Sequence, residues 1–483
     1  MPTPNILIFM ADHQRGDTVL PEHPAVTPHL SRLAAEGITF TNAFCPSPHC
    51  CPARATFWTG LYPSRHGVWN NCDNRMRLSY GPPEGMRLWS DDLHDAGYDL
   101  HFTGKWHIGV NHGPADHGFR PYHVICDRAD DCDMPWVRYR EMAALPEEEE
   151  RGEGEILRPG WGKYRTYGTR PDDSRPLDVV VTEQATELLP RLAAAGRPWV
   201  LFVGCTAPHD PYVALQRHLD LYDLADVPLP PSYADDLSDK PGIYRRMRRQ
   251  MWGQLTEREV REAIRHFWAQ CTYLDELFGL FLQALEASGQ RDNTAVLYCS
   301  DHGDYCGDHG LFAKGIPAFR GAYHVPAILR WPAGVAQPGR RVEQFVSLAD
   351  FAPTFQEVCG IAPDLRLTGR SLLPFLRGEE PEDWRDDLHT QCNGVELYYT
   401  QRSVTTRELK YVYNGFDEDE LYDLRTDPDE LRNVAADPAY ADVLRQMVRR
   451  MWRFARQEND AAINNYITVG LAPYGPAEAF RED

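Results

Sequence analysis

The segment His49-Cys50-Cys51-Pro52-Ala53-Arg54-Ala55-Thr56-Phe57-Trp58-Thr59-Gly60 sets a thiol, a proline and an arginine at fixed offsets. Pro52 is pre-set for a helix's first turn and Gly60 suits the residue just past its end, so the spacing predicts a short helix with Cys50 at its mouth. A helix N-terminus offers free N–H groups and partial positive charge, which lower a thiol's pKa and attract an anion. Arg54 adds a full charge one turn further in. The segment reads as an anion site. A thiolate phosphatase loop would need an arginine six positions after its cysteine, but Cys51 stands there for Cys45 and Thr56 for Cys50. A zinc site from Cys45, His49, Cys50 and Cys72 lacks a paired CxxC knuckle, and Cys51 reads as a buried apolar filler.

Outward from this segment, apolar runs alternate with helical patterns. Asn5 to Ala11 reads as a strand buried on both faces, as in parallel sheets, and it ends at Asp12. Thr27-Pro28 caps a helix through Leu30, Leu33 and Ala34 that stops at Gly37, and Ile38 to Phe44 is a second strand-like run. Tyr98 to Thr103 is a strand running into Gly104-Lys105-Trp106-His107, and Trp199 to Val203 runs into Ala207-Pro208-His209-Asp210-Pro211. Phe267, Cys271, Leu274, Phe278, Phe281 and Leu285 form the core-facing stripe of a helix. Ala295 to Cys299 is a strand ending at Ser300-Asp301-His302-Gly303, and Val325 to Leu329 is a further strand.

Asp12, Lys105, His107, His209, Asp301 and His302 thus lie just beyond the carboxyl ends of apolar strands, and Cys50 opens a helix after another. In open α/β sheets that edge binds ligands, so one pocket collects these residues. A single aspartate there is commonly a helix cap and a single histidine a satisfied surface group; so many titratable ends together are not explained by capping. Asp12, His13, Asp301 and His302 offer oxygen and imidazole donors for a divalent cation. Lys105 and Lys314 are point charges for an oxyanion, and His107 and His209 can move protons near neutrality. The chemistry is sulfuryl or phosphoryl transfer.

In the same order along the chain, Cys50-Cys51-Pro52-Ala53-Arg54 with Ala55 to Gly60, Gly104-Lys105-Trp106-His107, Pro208-His209-Asp210-Pro211, and Ser300-Asp301-His302-Gly303 through Lys314-Gly315 resemble the signatures of the type I, formylglycine-dependent sulfatases of the alkaline phosphatase superfamily. The resemblance implies an α/β fold with a mixed central sheet between helices and a smaller C-terminal sheet-plus-helix unit, divided here at 1–380 and 381–483. It implies that Cys50 is oxidised to formylglycine by a formylglycine-generating enzyme, and that the hydrate, held by Arg54, attacks sulfur. Asp12, His13, Cys50, Asp301 and His302 would hold one divalent metal. His209 and Lys314 would assist departure of the alcohol, and His107 with Lys105 the collapse of the covalent sulfate ester. Two departures reduce the charge of the ligand set: His13 replaces a second carboxylate, and His302 stands where many relatives have asparagine. Ca²⁺ stays the family default, with Mn²⁺ and Mg²⁺ as alternatives. Ala53 replaces the usual serine. Phosphonate monoester and phosphodiester hydrolases of the superfamily share CxPxR, and Lys105-Trp106-His107 favours sulfate over them. A non-catalytic anion-binding relative would leave the metal and proton-transfer residues without use.

The chain has 483 residues, 42% hydrophobic and 25% charged, with a formal charge of −21, which argues against nucleic acid and against anionic membranes as partners. The apolar run from Asn5 lacks the basic flank and cleavage site of a signal peptide, and no run reaches membrane-spanning length. The expectation is a cytoplasmic protein whose twelve cysteines stay reduced. The resemblance implies a small-molecule or carbohydrate sulfate ester as substrate, which loops around 110–175 and 210–250, without a recognisable pattern, would contact. Arg245 to Arg249 reads as a solvated helix face, Glu147 to Glu155 as an acidic loop, and Leu376 to Asp387 as a boundary. Beyond it, Lys410 to Asn414 and Leu421-Tyr422 read as strands, and Asp437-Pro438 starts a helix carrying Val443, Leu444, Met447, Met451 and Phe454. The tail from Asn459 has apolar residues without a clear period; packing on a second copy in a homo-oligomer is an expectation that no pattern there carries.

Overall fold

The computed structural model describes residues 3–127, 140–141, 143–144, 150–158, 162–394, 397–464 and 466–482. The strand Asn5–Asp12 is buried along its whole length and pairs in parallel with Thr294–Ser300 on one side and Trp199–Pro208 on the other. Its side chains alternate between two cores: Ile6, Ile8 and Met10 enter one cluster, Leu7, Phe9 and Ala11 the other. Burial on both faces is why this strand reads as an unbroken apolar run.

The sheet has eight strands in the order Arg340–Val342, Ile38–Phe40, Ala327–Arg330, Thr294–Ser300, Asn5–Asp12, Trp199–Pro208, Asp99–Lys105 and Phe119–Ile125. Only Ala327–Arg330 runs antiparallel to its neighbours, so the sheet is mixed. Against one face packs the helix Glu257–Ala287, whose Leu274, Phe278, Phe281 and Leu285 meet Leu7 and Phe9. Thr256 and Glu259 close a reciprocal capping box at its start. On the other face lies the helix Cys50–Thr59, buried at every residue and ended by Gly60 at φ 70°. The Ile38 to Phe44 run divides in two: Ile38–Phe40 joins the main sheet and Ala43–Phe44 pairs with Val346–Ser347.

The C-terminal unit is a four-stranded antiparallel sheet, Asp387–Gly394, Tyr398–Thr406, Leu409–Asn414 and Glu420–Asp423, covered by the helix Ala441–Gln457. Asp437 first caps a short 3₁₀ turn, Pro438–Tyr440. The sheet begins inside the expected boundary, yet Leu388, Cys392, Tyr399, Val412 and Tyr422 join the larger core around the eight-stranded sheet. Gln391 donates its N–H to the Pro46 carbonyl at 2.8 Å, and Cys392 Sγ lies 3.7 Å from His49 Nδ1. Arg245, Arg246 and Arg249 are exposed on the helix Gly242–Gln250, as expected of a solvated face. Residues 147–149 of the acidic run lie outside the described residues, and Glu155, expected in a loop, opens the strand Glu155–Arg158. Among the described residues the cysteines are free, and no helix is long and apolar enough to cross a membrane.

Candidate active site

Asp12 ends the strand Asn5–Asp12, Lys105 ends Asp99–Lys105, and Asp301 and His302 follow Thr294–Ser300 directly. His209 follows Trp199–Pro208, and Cys50 opens its helix after His49, whose extended backbone turns the chain inward. At Gly104, φ is 100° and a Cβ would lie 1.9 Å from the Gly204 carbonyl oxygen, so only glycine lets the two strands close beside Lys105.

The ligand atoms of Asp12, Cys50, Asp301 and His302 all lie within 4.8 Å of one another. Cys50 Sγ is 3.5 Å from Asp12 Oδ1 and 3.2 Å from His302 Nε2. His302 Nδ1 donates to the Gly303 carbonyl at 2.9 Å; burial opposes charge on the ring, but Asp301 and Cys50 raise its pKa, so Nε2 faces the carboxylates with a proton that a bound cation would replace. Arg54 Nε donates to Asp301 Oδ2 at 2.8 Å and Nη1 to the Lys105 carbonyl at 2.9 Å, while Nη2 is buried without a partner. The Lys105 ammonium pairs with Asp12.

Charge decides the protonation states. Burial opposes the Cys50 thiolate, but Lys105, Lys314 and His302 outweigh it and hold the thiol well below its ordinary pKa. Burial and the Cys50 thiolate likewise oppose charge on Asp12, and Lys105, His209 and Arg54 keep its pKa low. At Asp301, burial and the Asp12 charge prevail over Arg54 and raise the pKa.

His13 stands at φ 72°, with its ring centroid 4.3 Å from that of His302. Its Nδ1 donates to Asp304 Oδ2 at 3.1 Å and its Nε2 accepts from Lys314. Burial, with His209 and Lys314, pushes its pKa well below the usual histidine value, so the ring is neutral. It shares a second potential ligand group with Asp12 and His209, and a third with Asp210 and Asp304. Lys314 also donates to His209 Nε2 at 3.1 Å, and His209 Nδ1 donates to the Asp210 carbonyl at 2.6 Å. Burial and Lys314 disfavour charge on His209, but Asp210 and Asp12 raise its pKa overall. His107 Nε2 lies 3.1 Å from Asp73 Oδ2, and burial is outweighed there by Asp73 and Cys50, so its pKa is raised too.

The structure brings every sequence-derived candidate to this edge and adds partners for them. Asp304, which receives the Tyr212 hydroxyl at 2.8 Å and has its pKa pushed by burial and Asp210 up to about 7, stands two residues after His302. Asp210, which receives the Tyr164 hydroxyl, sits inside the quoted Pro208 to Pro211 run. Asp73 follows no strand, and nothing in the sequence around it marks a partner for His107. A cavity of about 360 Å³ reaches the site, its walls including Asp12, Lys105, His209, Asp210, Arg170 and Tyr273. Larger cavities, of about 680 and 900 Å³, open elsewhere on the molecule, so size alone does not mark the site.

Residues 4–361 match the family profile described as Sulfatase, and residues 307–457 match the one described as N-sulphoglucosamine sulphohydrolase, C-terminal. The chain is 30% identical over 456 residues to the uncharacterized sulfatase YidJ of Escherichia coli (strain K12), covering 92% of this chain and 86% of that protein. It is 30% identical over 460 residues to the choline-sulfatase of Rhizobium meliloti (strain 1021), covering 90% and 83%. A protein solved in complex with its substrate, D-glucosamine-2-N,6-O-disulfate, shares the fold with a TM-score of 0.73 at 21% identity, over 95% of this chain and 98% of that one. The phosphonate monoester hydrolase of Agrobacterium radiobacter superposes with a TM-score of 0.74 at 26% identity, over 94% and 96%. With the family profile matched from residue 4 to residue 361 and two relatives at 30% identity over most of its length, the chain belongs to the sulfatase family of the alkaline phosphatase superfamily and is a sulfuric ester hydrolase.

Proposed function

We propose that this sulfatase cleaves sulfate monoesters at residue 50 once a formylglycine-generating enzyme has oxidised Cys50, with Asp12, Asp301, His302 and the atom at position 50 holding one divalent cation. The observation that carries this reading is the meeting of Cys50 Sγ with Asp12 Oδ1 and His302 Nε2 at the mouth of the Arg54 helix. The sulfur there stands for the oxygen of hydrated formylglycine. The two carboxylates suit Ca²⁺, the family default, while the His302 imidazole keeps Mn²⁺ and Mg²⁺ as alternatives. His13 is left out of the ligand set, because its Nδ1 is given to Asp304. When present, the cation polarises a sulfate oxygen, and the hydrated aldehyde supplies a nucleophilic oxygen plus a second hydroxyl.

The chain's own residues do the rest. Arg54 fixes Asp301 and braces the helix mouth against the Lys105 strand end. Lys105 and Lys314 place positive charge where sulfate oxygens gather. His209, whose pKa Asp210 and Asp12 raise although its Nε2 accepts from Lys314 at rest, relays a proton from this pair to the departing alcohol. His107, beside position 50 and paired with Asp73, takes the proton of the second hydroxyl so that sulfate is released. The alcohol is a small molecule or sugar lodged in the 360 Å³ cavity. The free thiols support a reducing, cytoplasmic location. Exposed Tyr466, Ile467, Leu471 and Phe480 on the tail support a contact with a second copy.

Two measurements test the reading. Peptide mass spectrometry of protein made with the converting enzyme should find formylglycine at position 50, and converted enzyme should turn over a panel of sulfate esters. A higher kcat/KM for phosphonate monoesters or phosphodiesters than for every sulfate ester would overturn sulfate as the substrate class.

A further inference from the structure

Besides the three groups above, a fourth set of side chains next to residue 50 can hold metal. Ligand atoms of Cys51, Asp73 and His107 lie within 4.8 Å of one another. Cys51 lies fully buried in the larger apolar core, as expected of a filler, and local bonds also orient its thiol. Its N–H is tied to Asn71 Oδ1 at 3.1 Å, and its Sγ accepts the Cys72 N–H at 3.3 Å, so two local bonds fix the thiol's position. His107 is 5% exposed; its Nε2 approaches Asp73 Oδ2 at 3.1 Å, yet neither ring nitrogen has an aligned hydrogen-bond partner. The imidazole is thus tied to Asp73 by charge rather than by an aligned hydrogen bond, and it lies in a cluster that also offers sulfur. The Asp73 side chain is 33% exposed and gives an ion a way in.

The donor set differs in kind from that of Asp12, Asp301 and His302. One thiolate, one imidazole and one carboxylate suit tetrahedral Zn²⁺ or Cd²⁺ with the fourth position open, and sulfur is a poor ligand for Ca²⁺. We propose that Cys51, Asp73 and His107 form a second, thiophilic metal site, and that Zn²⁺ or Cd²⁺ bound there inhibits the enzyme by withdrawing His107 from proton transfer. On binding, the Cys51 thiol and protonated His107 each release a proton to solvent, and the metal takes the freed sulfur and nitrogen lone pairs; nothing is oxidised or reduced. The inhibitory half rests on the role given to His107 above. Cys51 itself has no part in the proposed chemistry, so its loss spares basal turnover.

The test is a Cd²⁺ titration of converted enzyme in saturating Ca²⁺, followed by both thiolate-to-cadmium charge-transfer absorbance and sulfatase rate. One equivalent should raise the absorbance and abolish activity together. Cys51→Ser should lose the band and shift the inhibiting concentration upward at least tenfold, and Asp73→Asn, at a partly exposed position that does not threaten folding, should weaken both. An unchanged band in Cys51→Ser, no band in the parent, or inhibition relieved by more Ca²⁺ would overturn the site. Cadmium bound through Cys51 without inhibition would uphold the metal site and fail the catalytic role of His107.

Discussion

At the scale of single residues, the two histidines at the site differ in what they face. His209 is held by Lys314 and the Asp210 carbonyl on the side where an alcohol would leave, whereas His107 is held by Asp73 beside residue 50. Their loss should therefore separate kinetically. His209→Ala should lower kcat for alkyl sulfates by about 10²- to 10⁴-fold, the usual span of a general acid, and spare activated aryl sulfates. His107→Ala should give a stoichiometric burst of alcohol followed by slow turnover, read by stopped-flow. A uniform loss across leaving groups in His209→Ala would refute its role as acid. Most of this site was legible in sequence because Asp12, Lys105, His209, Asp301 and His302 interrupt apolar strands, and a polar residue at a buried strand's end needs a reason. Asp73 was not legible: it comes from an irregular stretch, and its pairing with His107 is set by tertiary packing alone.

Among the elements, the Asn5–Asp12 strand and the Glu257–Ala287 helix announced themselves because their burial has one simple period. The run from Ile38 to Phe44 misled for a local reason. Thr41 N–H bonds the Val342 carbonyl while the Asn42 carbonyl receives the Val346 N–H, so the chain changes partners and sheet between Phe40 and Ala43. The start of the long helix carries a pH dependence. Burial opposes charge on Glu259, but Arg151 and the N–H groups of Gly154 and Thr256 lower its pKa to about 2. A depressed carboxylate stabilises the fold above the unfolded value near 4.5, and that stability is lost as pH falls through about 2. Glu259→Gln should thus lower Tm clearly at pH 7, and the gap to the parent should shrink on acidification toward pH 3, as followed by circular dichroism. A gap independent of pH would show that shape, not charge, is what Glu259 contributes.

For the whole molecule, the boundary near residue 380 separates two sheets but not two cores. Leu388, Cys392 and Tyr399 pack into the catalytic cluster, and Gln391 accepts the Ser64 N–H at 2.9 Å while donating to Asp460 at 3.1 Å. A chain ending at residue 380 should be insoluble or inactive, and the intact protein should melt in one calorimetric transition; two resolved transitions would contradict a shared core. The clasp of Gln391 on Pro46 and of Cys392 on His49 also imposes a schedule. In the folded protein Cys50 is 1% exposed, behind a strand made about 340 residues later. At ~5–20 residues per second, the ribosome leaves roughly 20–70 s in which another protein can still grasp the cysteine. Maturation is then a race that folding ends: an unconverted chain, once refolded, should resist added formylglycine-generating enzyme indefinitely, while a free peptide spanning residues 45–60 should be converted, as mass spectrometry of both would record.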